Sequence, residues 1–328
     1  MASLAAPRRR GRNPLAAEDF FAGWVFILPA LIIIGGFILL PILIAAWTSL
    51  HNRNTIGNVN EFVGLDNYRH IFTANEDFRI ALRNTAWFSA VVVPTQTAVG
   101  LILATLANRK IRGKTFFRTA FYFPSISSSV VISMIFLWLY QSNGLINFLL
   151  QKLGLPTPRP PWLANARGVF GLAFDAVGIG VPTWLEGPSV ALVSIMMLNV
   201  WTTAGTMMVV FLAGLQDIPG DVYEAAALDG ATRRRSFFDI TVPLLRPVIL
   251  FVVTLGLIGT FQVFDQIYVM SAGGPAKTTT TLVFLIYTEA FKSGRGLGYA
   301  SALAIVLFAI IFVLFLIQRR FVGRTEER

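Results

Sequence analysis

Six stretches of the chain are apolar over about 20 residues or more, the length a helix needs to cross roughly 30 Å of hydrocarbon. They fall near Trp24–Thr48, Asn84–Ala107, Phe117–Tyr140, Ser189–Ala213, Pro247–Val269 and Tyr299–Gln318. Each consists mostly of Leu, Ile, Val, Phe and Ala, with its Lys and Arg at or beyond the ends. Buried helices of soluble proteins are usually shorter and amphipathic. The pattern therefore predicts an all-α integral membrane protein with six transmembrane helices. Pro29, Pro41, Pro94 and Pro124 fall inside these spans, and kinks are expected where neighbouring helices and waters satisfy the backbone groups that proline frees. The first span is too long for a signal peptide and lacks a small-residue cleavage site after it, so it is expected to remain as a helix. The connection from Gln141 to Pro188 carries the rigid stretch LPTPRPPWL and then the apolar segment Gly168–Val181. That segment is 14 residues long, glycine-rich and interrupted by Asp175, which predicts an interfacial or packed loop rather than a seventh span.

Composition agrees with membrane embedding: 55% of residues are hydrophobic and only 13% charged, against about a quarter charged in ordinary soluble domains. Lys and Arg outnumber Asp and Glu by 27 to 17. Nucleic acid would be one explanation for that surplus, but sidedness accounts for most of it. With the amino terminus inside, PRRRGR, the loop NRKIRGKTFFR, the loop after the fourth span and the tail QRRFVGRTEER are cytoplasmic and hold 17 of the 27 basic residues. The positive-inside rule then places both termini in the cytoplasm of a multi-pass protein of the cell (inner) membrane. Its first basic loop is expected to rest on anionic lipid, and no nucleic acid is expected as a partner.

The chemistry the chain lacks narrows its role. There is no cysteine, which excludes disulfides, thiolate metal sites and cysteine catalysis together. His51 and His70 lack the spacing and carboxylate company of a metal site, so none is expected. Gly113, Lys114 and Thr115 spell the end of a phosphate-binding loop, but position 108 is Asn where that loop needs glycine, and no buried strand precedes it. No HExxH, GxSxG or GxGxxG sequence occurs, so no catalytic residue is expected.

Two polar faces interrupt the apolar spans. In the fourth, Asn199, Thr202, Thr203 and Thr206 stand at offsets of three, four and seven, beside Trp201. In the fifth, Gln262, Asp265 and Gln266 share such spacing, with Phe261 and Phe264 nearby. Polar side chains in a bilayer face protein or a wet cavity, which makes these residues candidates for a substrate path. Hydrogen bonding between packed helices explains the fourth-span face equally well, and access to interfacial water would explain Asp265. Gly273, Gly274 and Pro275 predict a turn at the outer surface.

The charged run DIPGDVYEAAALDGATRRRSF lies between the fourth and fifth spans. Asp221 suits a helix N-cap with Glu224 three residues on, Ala225 to Leu228 favour helix, and Gly230 suits a left-handed stop. A second helical segment is expected from Thr232. The run resembles the EAA loop of permease subunits in binding-protein-dependent ABC importers. It matches that signature at Glu224, Ala225, Ala226, Asp229, Gly230, Ala231, Phe237, Ile240, Pro243 and Pro247. FVGLDNYRHIF, ALRNTAWF, YQSNGLINFLL and FDQIYVMSAGGPAKTTTTLVFLIYTEAF extend the resemblance to the sugar-type permeases of the maltose and glycerol-phosphate importers. The basic amino-terminal tail departs from it, as does Asn165–Thr183, which reads as an insertion with a WL element at Trp162 repeated at Trp184.

The resemblance implies a type I ABC importer permease, with residues 1–23 a cytoplasmic tail, 24–318 the six-span domain, 217–247 the coupling loop and 319–328 a second cytoplasmic tail. It implies that Glu224, Ala225, Ala226, Asp229, Gly230 and Ala231 form a coupling helix docked on a cytoplasmic ATPase. Asn199, Trp201, Thr202, Thr203, Phe261, Gln262, Asp265 and Gln266 would then line the path of a carbohydrate or related polar solute. An extracytoplasmic binding protein would dock at Gly273, Gly274 and Pro275. The partners implied are a second, homologous permease in a heterodimer, two ABC ATPases and that binding protein, with ATP and magnesium bound only by the ATPases. The alternative is a secondary transporter driven by an ion gradient. Such proteins tend to carry midplane carboxylates and paired broken helices, and Asp265 is the one clear acid candidate within these spans.

Overall fold

The computed structural model describes residues 15–54, 60–109, 113–180, 182 and 185–323. The tail PRRRGR, residues 110–112 of the first basic loop, Val181, Thr183, Trp184 and the last five residues lie outside the described residues.

The first apolar run forms α1 (Leu15–Ile34), a π-turn (Gly35–Leu39) and α2 (Leu40–Thr48). The widened turn precedes Pro41, whose ring in a regular helix would collide with the carbonyl four residues back. Two short antiparallel strands follow, β1 (His51–Arg53) and β2 (Asn60–Phe62), pairing Asn52 with Glu61. After α3 (Asp66–Thr73) comes α4 (Glu76–Ala107), which starts two turns before the apolar window. The Asn75 side chain accepts the Phe78 amide at 3.0 Å, and Glu76 and Asp77 occupy the first turn, where the helix dipole favours acids. Pro94 lies within α4 without breaking it.

The third span departs from expectation. It is broken into α5 (Lys114–Ile126) and α6 (Ser129–Leu139), which meet at 97° instead of forming one kinked helix. Pro124 removes an amide donor just before the break. Ser127 donates to Phe123 O and Ser125 to Thr202 O of the next long helix, so hydroxyls compete with the helical ladder at this point. The connection beyond contains α7 (Leu145–Lys152), a 3₁₀ turn (Trp162–Ala164) and α8 (Val169–Asp175). At 7 residues, α8 is far too short to cross a bilayer.

Next come α9 (Val190–Gln216), α10 (Gly220–Leu228), the single turn α11 (Arg233–Arg235), a second π-turn (Ser236–Thr241) before Pro243, and α12 (Val242–Leu244). The fifth span is α13 (Arg246–Phe261) followed by α14 (Asp265–Met270). The chain ends in α15 (Leu282–Phe291), an apolar helix the span pattern does not predict, and α16 (Gly296–Gly323). Among the described residues five helical stretches are long and apolar enough to cross a membrane, and the bent α5–α6 pair brings the number to six.

α4 and α9 form the centre and run parallel. Phe88 and Val92 pack with Leu192 and Ile195, and Ala104 packs with Met208 and Phe211. Their backbones approach closely at Gly100, where a Cβ would lie 2.7 Å from that of Met207; small residues permit such approach. α13 runs antiparallel to α4 on another side. At the end carrying α10, Gln318 of α16 donates to Leu250 O of α13 at 3.1 Å. At the opposite end, Asn75 donates to Tyr299 Oη at 2.5 Å, and Asn84 donates to Lys277 O and Thr280 O at 3.0 Å each. α1 and α2 stand apart, touching the rest chiefly where α2 meets the start of α16.

Candidate functional site

The EAA-like run forms a helical hairpin at one end of the bundle. Helix α10 starts at Gly220 with Pro219 in the N-cap position, not Asp221 as the capping pattern predicts. Proline's fixed φ suits the extended cap (φ −60°, ψ 139°) and leaves Asp221 in the first turn, where its charge still favours the dipole. The stop is as expected. Gly230 has φ +77°, its amide donates to Ala227 O at 3.1 Å, and Ala231 donates to Ala226 O at 2.9 Å. This pair of bonds is a Schellman motif, which satisfies the last helical carbonyls.

Thr232 then caps the second segment, accepting from the Arg235 amide at 3.3 Å. The hairpin is fastened by Tyr223 Oη and Thr241 Oγ1 at 3.0 Å, while Arg235 and Asp239 pair at 3.3 Å on the surface. Of the signature residues, Ala226 is buried; Glu224, Ala225, Asp229 and Gly230 are exposed and Ala231 is half-exposed. Leu228, at the tip of α10, is 90% exposed, so an apolar side chain projects from this end with no cover among the described residues. Between the hairpin and the last turns of α4 and α9 lies a cavity of about 700 Å³.

The fourth-span residues share a helix but not a surface. Asn199 is buried, and Thr202 and Thr203 both approach its carbonyl, at 2.9 and 2.8 Å. Thr203 Oγ1 also lies 2.6 Å from Gln96 Oε1 of α4, so this position ties two helices together. Trp201 is 49% exposed, sits against the Phe136 ring with centroids 5.5 Å apart, and borders an apolar cavity of about 470 Å³ between α4, α5 and α9.

The fifth-span face is not a single helical face. α13 ends at Phe261, Gln262 caps it, and Phe264 (φ −137°, ψ −59°) turns the chain before Asp265 opens α14. Helical offsets therefore do not apply across this break. Gln262 and Asp265 are exposed and Gln266 half-buried, whereas Phe261, 4% exposed, packs among Phe78, Leu282 and Tyr299 as core. Gly273 is buried with φ +83°; a Cβ there would meet the Phe284 ring at 2.7 Å, so the turn requires glycine. Gly274 and Pro275 are half-buried beside exposed Ala276 and Lys277, and Lys277 reaches Asp77 of α4 at 2.6 Å.

One line of polar residues escapes the span pattern. On α4, Thr85 accepts the Leu282 amide at 3.0 Å, Ser89 meets Thr260 at 3.0 Å, and Gln96 is 1% exposed beside Thr203 and Gly256. Their spacing of four and then seven residues is helical, and that was the readable signal. Among the described residues no three His, Asp or Glu side chains come together as a metal site.

The profile of the family described as "Binding-protein-dependent transport system inner membrane component" matches residues 96–327. The chain belongs to that family. The permease is 32% identical over 296 residues to the multiple sugar-binding transport system permease protein MsmF of Streptococcus mutans, covering 90% of this chain and 93% of that one. It is 34% identical to the lactose transport system permease protein LacF of Rhizobium radiobacter over 90% of this chain and 92% of the relative. The trehalose/maltose transport system permease protein MalF of Thermococcus litoralis is 33% identical over 88% of this chain and 89% of its own. In fold it matches a chain of a bacterial alginate ABC transporter crystallised with an alginate pentasaccharide-bound periplasmic protein. The TM-score is 0.74 at 21% identity, over 96% of this chain and 98% of the other. The permease is thus an all-α subunit of an ABC importer, a transport component and not an enzyme.

Proposed function

We propose that this permease carries a carbohydrate across the membrane after delivery by an extracytoplasmic binding protein, driven by two ATPases that grip α10. The observation that carries the reading is the hairpin: a short, capped helix exposed at Glu224, Ala225, Asp229 and Gly230, yet fastened through Tyr223 to Thr241 of the second arm, which runs on into the fifth span. Such an element transmits a displacement that a loose loop would absorb. ATP and magnesium belong to the ATPases, and a second, homologous but different permease completes the pore. The domain limits follow: tails at 1–23 and 319–328, the six-span body at 24–318 and the coupling loop at 217–247. Both termini are cytoplasmic, a sidedness supported by the 17 of 27 basic residues in the segments that the order of spans assigns to the cytoplasm.

Sugar as cargo is supported by the names of the relatives and by the chemistry of the faces. A sugar presents hydroxyls and apolar ring faces: exposed Trp201 on α9 offers a ring for the faces, and Gln262, Asp265 and Gln266, beyond the α13 break, offer partners for the hydroxyls, while Asn199, Thr202 and Thr203 hold α9 in place behind Trp201. Gly273, Gly274 and Pro275, with Lys277, form the docking turn for the binding protein. The test is uptake of labelled sugars by vesicles holding this chain with its co-purifying permease and ATPases. Uptake should require internal ATP and the binding protein; uptake driven by an ion gradient alone would overturn the reading.

A further inference from the structure

The cavity beneath the hairpin combines two kinds of wall. Ile102 and Leu106, from the last turns of α4, and Phe238, from the second π-turn, are apolar and exposed, while Arg109, Arg233 and Arg234 form a cationic lining. Arg235 is paired with Asp239, but among the described residues Arg109, Arg233 and Arg234 have no carboxylate within 4.0 Å. Arg234 lies 6.0 Å from the centre of the Phe238 ring, so charge and apolar surface adjoin. The carboxyl end of α4 would by itself repel an anion. There Arg118 donates to Ala107 O at 3.0 Å and supplies a further positive charge.

We propose that this cavity holds the headgroup of an anionic phospholipid from the adjacent leaflet. The phosphate meets Arg109, Arg233 and Arg234, and the first methylenes lie on Ile102, Leu106 and Phe238. Guanidinium forks match phosphate oxygens, whereas a zwitterionic lipid brings its own ammonium into the same opening. The apolar wall continues into a membrane span, which a free anion would not need. Ala227, Ala231 and Arg233 line the same cavity, so a bound lipid holds the hairpin against α4. Nothing in this depends on the cargo.

The test is native mass spectrometry of the full chain, purified with the subunits that accompany it, titrated with phosphatidylglycerol and with phosphatidylcholine. Phosphatidylglycerol should be retained preferentially, and each arginine replaced should weaken its retention about fivefold. Arg109→Gln/Arg233→Gln/Arg234→Gln should abolish the preference. If that triple variant does not accumulate, Arg109→Gln and Arg234→Gln singly should each show the smaller loss. Arg79→Gln, at the opposite end, should change nothing. Equal retention of the two lipids, an undiminished preference in the arginine variants, a matching loss in Arg79→Gln, or displacement of the lipid by excess inorganic phosphate would each overturn the proposal. Because no step measures uptake, its failure is distinct from failure of the transport reading.

Discussion

Replacing Gly230 tests the hairpin as a mechanical part. Its φ of +77° lies in the left-handed region, and no atom comes within 4 Å of a Cβ built there. A substitution is therefore resisted by backbone conformation rather than by collision, at about 1–2 kcal/mol for a residue other than glycine. The turn is held by the Ala231 and Gly230 amide bonds and the Tyr223–Thr241 contact, each contributing about 1 kcal/mol. Penalty and fastening are thus of one order, and Gly230→Val should shift the hairpin towards an opened form by roughly five- to thirtyfold. The membrane core is untouched, so the amount inserted and the melting temperature should stay near wild type. In vesicles assayed for uptake and phosphate release together, hydrolysis should continue while solute moved per ATP falls in about that range. Gly230→Asn should fall less, because asparagine tolerates the left-handed region, and Gly230→Ala should fall between Asn and Val, because a β-branched side chain is strained most at positive φ. A Val variant transporting at the wild-type ratio would refute the reasoning.

Two further substitutions probe the bundle. Thr203→Val leaves Gln96 Oε1 facing an apolar group while Gln96 is only 1% exposed. It should destabilise by about 1–3 kcal/mol, and adding Gln96→Leu should recover much of that in a thermal-melt double-mutant cycle. Asn84→Ala removes the donor shared by Lys277 O and Thr280 O. It should raise hydrogen exchange across residues 273–281 and weaken stimulation of ATP hydrolysis by the binding protein, with the unstimulated rate unchanged.

The spans were legible because hydrocarbon imposes a length and a composition that any sequence must display. The hairpin was legible for another reason: Gly230 acts through its own backbone and Thr232 through a hydroxyl that reaches only three residues on, and such local chemistry survives in any tertiary setting. Asp221 as cap failed because Pro219, two residues earlier, supplies the extended geometry. Polar faces were harder. Offsets within one helix placed Gln262 and Asp265 together only if the helix was continuous, and the break at Phe264 is set by packing of α14 against α6 and α9. Gln96 is not marked by its neighbours in sequence, because its role depends on Thr203 and Gly256, which lie more than 100 residues away in the chain. The 97° bend after Pro124 likewise depends on Ser125 finding Thr202 O, a partner that no local pattern contains.

The contacts opposite the hairpin also bear on biosynthesis. Asn75, Asp77, Asn84 and Thr85 belong to the first third of the polypeptide, and their partners, Tyr299, Lys277, Thr280 and Leu282, to the last. A ribosome delivers the early group long before the late one. During that interval α4 carries amide and hydroxyl groups without the bonds that later satisfy them, a condition costly wherever they are shielded from water. A polypeptide truncated before residue 277 would lack the partner of every one of these groups, so an unfinished chain differs chemically from a finished one at this end of α4.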